Sequence, residues 1–183
     1  VLILGLDNAG KTTFLESAKT TFTKGYRGVN PSKITATVGL NIGNIEADGV
    51  VLNFWDLGGQ EELQALWDKY YSECHGVIYC VDSNDRDRIQ ESKKSFDAMI
   101  SNENLCDIPL LVLANKQDLP GNFNYFANYS LPERVGCKVC SHLNRVSVTN
   151  TNSTFEPIHI RMQNVFVIVC ITLFLYSDLS AFI

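Results

Sequence analysis

Three short stretches gather residue types that can handle a phosphate chain, a divalent cation and a purine. The first, Gly5-Leu6-Asp7-Asn8-Ala9-Gly10-Lys11-Thr12, reads G-x-x-x-x-G-K-T, a P-loop. Its glycines let the backbone wrap a polyphosphate with no side chain in the way, and positive φ is cheap there. The amide N–H groups of Asp7, Asn8, Ala9, Gly10, Lys11, Thr12 and Thr13 then face phosphate oxygens, and a following helix adds its positive end. Lys11 reaches the β- and γ-phosphates as a point charge, and the Thr12 hydroxyl is placed on Mg²⁺.

The second stretch is Asp56-Leu57-Gly58-Gly59-Gln60. A D-x-x-G directly after a strand puts the Asp56 carboxylate in the Mg²⁺ shell, through water. It also lets the Gly59 N–H approach a γ-phosphate unobstructed. Gln60 then stands where a hydrolytic water attacks. The third stretch is Asn115-Lys116-Gln117-Asp118, an N-K-x-D pattern. The Asp118 carboxylate can accept two N–H donors from guanine, an arrangement adenine lacks, so a site built around it rejects adenine. Lys116 can lie over the base plane, and Asn115 can tie its loop back to the P-loop.

Each stretch needs a strand to deliver it. Residues 1–4 are apolar and β-prone, and residues 13–19 suit a helix. Residues 20–36 are polar, with Gly25, Gly28 and Pro31, and read as a mobile loop. Residues 37–42 and 50–55 are extended runs separated by Asp48-Gly49, which predicts a hairpin with antiparallel strands. Residues 61–74 read as one helix with Leu63, Leu66, Trp67, Tyr70, Tyr71 and Cys74 on one face. Leu63 and Leu66 read as core, while Trp67 and Tyr70 suit core and partner surface equally. Residues 77–81 form a short buried strand, and Asp82 to Asp85 offer caps for a helix striped by Ile89, Phe96, Met99 and Ile100. Residues 109–114 are apolar throughout, as in a strand covered on both faces. The alternation predicts an open α/β sheet with its ligand at the carboxyl ends of the strands.

A chain of 183 residues, 45% hydrophobic and 19% charged, suits one globular domain with a real core. A net charge of −5 with no basic stripe argues against nucleic acid as a main partner. The chain has no initiating Met and residue 1 already belongs to a strand, so it reads as a fragment lacking its N-terminus. No secretory signal is visible. Cys74, Cys80, Cys106 and Cys170 read as small core residues, and His75 as structural. Cys137-x-x-Cys140 with His142 lacks the second pair that a zinc site needs. The sequons at Asn128 and Asn152 are idle in a cytosolic protein.

Taken together, the chain resembles the ADP-ribosylation factor family of small GTPases. The matching stretches are GLDNAGKTT from Gly5, TVGLNI from Thr37, FWDLGGQEELQ from Phe54, LWDKYY from Leu66, ECHGVIY from Glu73 and LANKQD from Leu113. The resemblance implies the P-loop small-GTPase fold, a mostly parallel sheet with one antiparallel edge hairpin and helices on both faces. It implies a slow GTPase that switches between GDP and GTP forms. Thr37 looks like the residue that joins the Mg²⁺ shell only in the GTP form, and Gln60 like the residue orienting the water. Leu40, Trp55 and Tyr70 look like the apolar patch read by effectors. The implied partners are an exchange factor, a GTPase-activating protein, effectors and a membrane. The implied setting is traffic at the cytoplasmic face of the Golgi and trans-Golgi network, and the cytosol.

The pattern stops after Asp118, so residues 1–118 read as the GTP-binding core and 119–183 as a divergent segment. The usual guanine-contacting loop is not recognisable, and Ser147-Val148-Thr149 matches it poorly. An alternative reading is therefore a truncated or splice-variant decoy that binds nucleotide weakly. The apolar run at 165–176 admits a membrane anchor, a buried element or a non-native end; it is shorter than the about 20 residues a span needs.

Overall fold

The computed structural model describes residues 1–119 apart from 48, 107, 117 and 118. The elements run β1 (Leu2–Leu4), α1 (Lys11–Phe22), β2 (Leu40–Ala47), β3 (Val50–Leu57), α2 (Glu61–Gln64), α3 (Asp68–Tyr71), β4 (Val77–Asp82), α4 (Ile89–Ile100) and β5 (Leu110–Asn115). Short 3-10 turns occupy Pro31–Lys33 and Glu103–Leu105. The strands form one sheet in the order β2-β3-β1-β4-β5. β2 and β3 pair antiparallel, and every other neighbouring pair is parallel. The expected hairpin is present, with Gly49 at φ +80° in its turn and Ala47 opposite Val50.

Side-chain alternation along the strands divides the core in two. Leu2, Leu4, Val77, Tyr79 and Val81 face one side with Trp67 and Tyr71, at the two ends of α3, and Phe96 and Met99 of α4. Ile3, Ile78 and Cys80 face the other, with Ile45, Leu52, Phe54 and the α1 residues Leu15 and Ala18. β1 and β4 are buried on both faces, so their sequences are continuously apolar. Period-two alternation thus places helices on both faces and leaves the tips of β1, β3 and β5 to carry the three motifs.

Five expectations need correction. Helix α1 continues through Thr20 and Thr21 to Phe22, into the segment expected as loop. Residues 61–74 are not one helix. Bonds from Leu66 to Leu63, Trp67 to Gln64 and Tyr70 to Trp67 close three-residue turns, and only Glu61–Gln64 and Asp68–Tyr71 are α-helical. The cause is Trp67, whose buried indole Nε1 donates to the Gly58 carbonyl at 3.0 Å and draws the chain inward. Leu66 is consequently exposed, while Trp67 is core. Cys106 is exposed, unlike the buried Cys74 and Cys80. β5 is half-buried among the described residues rather than covered on both faces. Cys170, the C-x-x-C pair, both sequons and the apolar run lie outside the described residues. Among the described residues, no helix is long and apolar enough to cross a membrane.

Candidate nucleotide site

The loop from β1 to α1 takes the shape its glycines permit. Gly10 has φ +89° at the N-terminal cap of α1, and Asn8, of a residue type that tolerates the left-handed region, has φ +61°. A Cβ at Gly10 would run into the Asn115 side chain. That close approach is used: Asn115 Nδ2 donates to the Ala9 carbonyl at 2.8 Å, tying the tip of β5 to the P-loop as expected. Thr13 is exposed on the first turn of α1. Lys11 is buried, and its Nζ donates to the carbonyls of Gly5 (2.9 Å) and Leu6 (2.7 Å). Burial pulls the Lys11 pKa down, and the neighbouring Cys80, Asp56 and Asp7 groups pull the other way.

Thr12, Thr37 and Asp56 meet beside this loop. The Thr12 hydroxyl donates to Asp56 Oδ2 at 2.6 Å and lies 2.7 Å from the Thr37 hydroxyl. Thr12 has one proton, so Thr37 donates to Thr12. Asn41 Nδ2 adds a longer bond to Asp56 Oδ2 at 3.3 Å. Asp56 is fully buried, and its Oδ1 has no hydrogen-bond partner. Burial pushes its pKa up, opposed by Thr12, Asn41, Lys11 and Thr37. Two hydroxyls and one unpaired carboxylate oxygen form a hard, all-oxygen donor set, which fits Mg²⁺ completed by phosphate oxygens and water. Among the described residues there is no cluster of three His, Cys, Asp or Glu that would hold a cation alone.

The turn after β3 closes over the P-loop. A Cβ at the buried Gly59 would strike backbone atoms of Gly5, Leu6 and Asp7. Gly58 N–H donates to the Gly39 carbonyl at 2.8 Å, joining this turn to the Thr37 segment. Gln60 caps α2 with its carbonyl, and its side-chain Oε1 is buried without a partner. Sequence reasoning missed Gln64, which donates from Nε2 to the Gly59 carbonyl (2.9 Å) and accepts from Ser95 (2.7 Å). It also missed Arg88, whose guanidinium pairs with Asp7. Neither residue stands at motif spacing, and Arg88 is 81 positions from its partner.

Lys116 forms an ion pair that its motif does not specify. Its ammonium pairs with Asp82 at 2.6 Å, because Asp82 lies opposite Asn115 on the neighbouring strand tip. Asp118 lies outside the described residues. On the outer face of the β2–β3 ribbon, Trp55 meets Tyr70 edge-on, with centroids 5.5 Å apart. Leu40 is 38% exposed, and Ile42, opposite Trp55 in register, is 55% exposed. Ile42 enlarges the expected patch, and Val38, Val51 and Leu66 are further exposed apolar side chains. The alternation that buries Ile45 leaves Ile42 outward, the one signal that could have found it.

A glycine loop opening the first helix, a hairpin delivering Asp56 and a β5 tip bound to the loop define a P-loop protein of the small-GTPase fold. The structure of the Arl6 BBS3 small GTPase from Trypanosoma brucei, with the nucleotide analogue GppNp bound, matches at TM-score 0.53 and 32% identity. That match covers 67% of this chain and 69% of that one. The ADP-ribosylation factor family pattern matches residues 1–127, and the chain belongs to that family. Human ADP-ribosylation factor-related protein 1 is 65% identical over 119 residues, which are 65% of this chain and 59% of that protein. ADP-ribosylation factor-like protein 3 of Saccharomyces cerevisiae is 48% identical over 119 residues, 64% and 59% of the respective chains. The chain thus spans about 59% of the length of the curated relatives it matches.

Proposed function

We propose that this chain is a guanine-nucleotide switch that binds GDP and GTP with Mg²⁺ and hydrolyses GTP to GDP and phosphate. The observation that carries the reading is the convergence of Thr12, Thr37 and Asp56 oxygens beside the P-loop lysine, with one carboxylate oxygen unpaired. Mg²⁺ in that position supplies positive charge to the phosphates. The P-loop amides from Asp7 to Thr13 and the Lys11 ammonium bind the anion. The Gly59 N–H meets the terminal phosphate, and Gln60 orients the attacking water. Asn115 and Lys116 shape the base-binding end, where Asp118 selects guanine. Hydrolysis of this kind is slow alone, and an arginine supplied by an activating protein raises it by about 10³–10⁵. An exchange factor reloads the site, and effectors read Leu40, Trp55 and Tyr70. Family resemblance supports membrane association and a place in traffic at the cytoplasmic face of the Golgi and trans-Golgi network.

The test is competition on the full chain stripped of nucleotide. GTP and GDP, but not ATP, displace a fluorescent guanine nucleotide in Mg²⁺. Asp118→Asn shifts preference toward xanthine nucleotides because the donor–acceptor pattern inverts. Gln60→Leu keeps binding and loses stimulated hydrolysis. Equal displacement by ATP would sink the reading. Nanomolar GDP affinity would eliminate the rival, a decoy that binds nucleotide weakly.

A further inference from the structure

The P-loop carries one acidic side chain, Asp7, inside the stretch proposed to hold a polyanion. A free carboxylate there repels phosphate, and more strongly the triphosphate than the diphosphate. Both Asp7 oxygens are engaged. Oδ1 accepts from Arg88 Nη2, and Oδ2 accepts from Asn8 Nδ2 at 3.3 Å. Arg88 itself is braced. Its Nε donates to Glu91 Oε2 at 2.9 Å and its Nη2 to Glu91 Oε1 at 3.2 Å, while Asp85 Oδ2 lies 3.9 Å from Nη1. Arg88 is the residue before α4, and the Asp85 carboxylate accepts its backbone N–H at 3.3 Å. The guanidinium is therefore aimed by its own helix start, and Glu91 holds its fork in one plane. None of the three phosphate, cation and base motifs contains Arg88.

We propose that Arg88 is a positioning residue of the nucleotide site: it neutralises Asp7, holds that carboxylate against α4 and so keeps a negative charge off the phosphates. This rests on the guanine-nucleotide reading above and adds to it a residue that sets triphosphate against diphosphate preference. Lys11 and the loop amides supply attraction, and Arg88 removes a repulsion from a residue the loop itself carries. The effect is electrostatic and partly solvent-exposed, so it weakens as salt rises.

The experiment is a double-mutant cycle on the full chain, reading nucleotide release rates with a fluorescent GTP analogue and its GDP counterpart in Mg²⁺. Arg88→Gln should speed triphosphate release about tenfold, equivalent to about 1.4 kcal/mol. Diphosphate release should quicken less. In an Asp7→Asn background the same Arg88→Gln change should alter release less than about twofold. Arg88→Lys should recover part of the effect, since it keeps the charge and loses the fork. Glu91→Gln, which loosens the brace and leaves Arg88 in place, should move release in the same direction, again only while Asp7 is present. It also covers the case in which Arg88→Gln does not fold. If Arg88 merely anchors α4, thermal stability falls but the effect on release is the same with Asp7 or Asn at position 7, and the proposal is overturned. If the unmutated chain shows no guanine-nucleotide affinity, the parent reading fails first and this one with it. Binding by the unmutated chain with no coupling between Arg88 and Asp7 overturns this proposal alone.

Discussion

Asp56→Asn isolates the energetic burden of the carboxylate beside the P-loop. The side chain is fully buried; Oδ2 has donors at 2.6 and 3.3 Å, and Oδ1 has none. Leaving a buried polar atom unpaired costs about 1–3 kcal/mol, with charged atoms at or beyond the upper end. The amide removes about 3 kcal/mol of that cost. It gives back about 1 kcal/mol because the Thr12 bond now ends on a neutral oxygen, and about 1 kcal/mol for amide hydrogens left unpaired. The remainder, about 1 kcal/mol, stabilises the ligand-free chain and raises its melting temperature by about 2–4 °C at this size. With Mg²⁺ and GDP in excess the sign reverses. Ligand at a hundred times its Kd stabilises the native state by about 2.7 kcal/mol, and every tenfold loss of affinity removes about 1.4 kcal/mol. Loss of the charge facing the cation by two such factors outweighs the gain. The assay is a pair of thermal melts of the full chain, one in EDTA without nucleotide and one in saturating Mg²⁺ and GDP. The variant melts above the unmutated chain in the first and below it in the second. A variant that melts lower in EDTA would refute the account of Asp56 as an unpaired buried charge.

Gly59→Ala drives a methyl into the backbone of Gly5, Leu6 and Asp7. It should separate the two loops and abolish nucleotide retention in a filter-binding assay while the melt stays cooperative. Trp67→Phe removes the indole donor from the buried Gly58 carbonyl. The expected loss is about 1–3 kcal/mol, read by urea titration at unchanged slope. Glu16 is buried, which raises its pKa, but bonds from Lys19, Tyr26 and the Val29 amide outweigh this and hold it below its ordinary 4.5. A folded-state value below the unfolded one means its stabilisation is complete above about pH 4.5 and disappears as pH falls through the lowered value. Tyr26→Phe should therefore bring the stabilities of mutant and unmutated chain together on acidification, with their largest separation near neutrality in equilibrium unfolding.

Elements whose signals are local were legible. The P-loop glycines specify a strand-loop-helix turn, Asp48-Gly49 specifies the hairpin, and the uninterrupted apolar run at residues 77–81 specifies a strand buried on both faces. The link from Asn115 to the P-loop was also readable, because the motif itself needs an amide there. What escaped was set by long-range packing. The 3.6-residue stripe over residues 61–74 is real in the sequence. It could not reveal that Trp67 leaves the stripe to reach Gly58, since that acceptor belongs to another element. Lys116 carries no mark that Asp82 lies beside it, because register between β4 and β5 decides that pairing. Arg88 is one of several charged residues in an acidic and basic run, and only the folded chain brings it to Asp7. Cys106 was misjudged because apolar neighbours in sequence do not fix the outward face of a short turn.

The amide bridge from Asn115 to Ala9 has a kinetic corollary. Two ends of an occupant gripped by hinged pieces could let go in turn, each cheaply. For the proposed nucleotide the two grips would share a rivet, so that loosening one would strain the other and departure would tend toward one concerted event. A catalyst of release then needs purchase at only one end of the cleft.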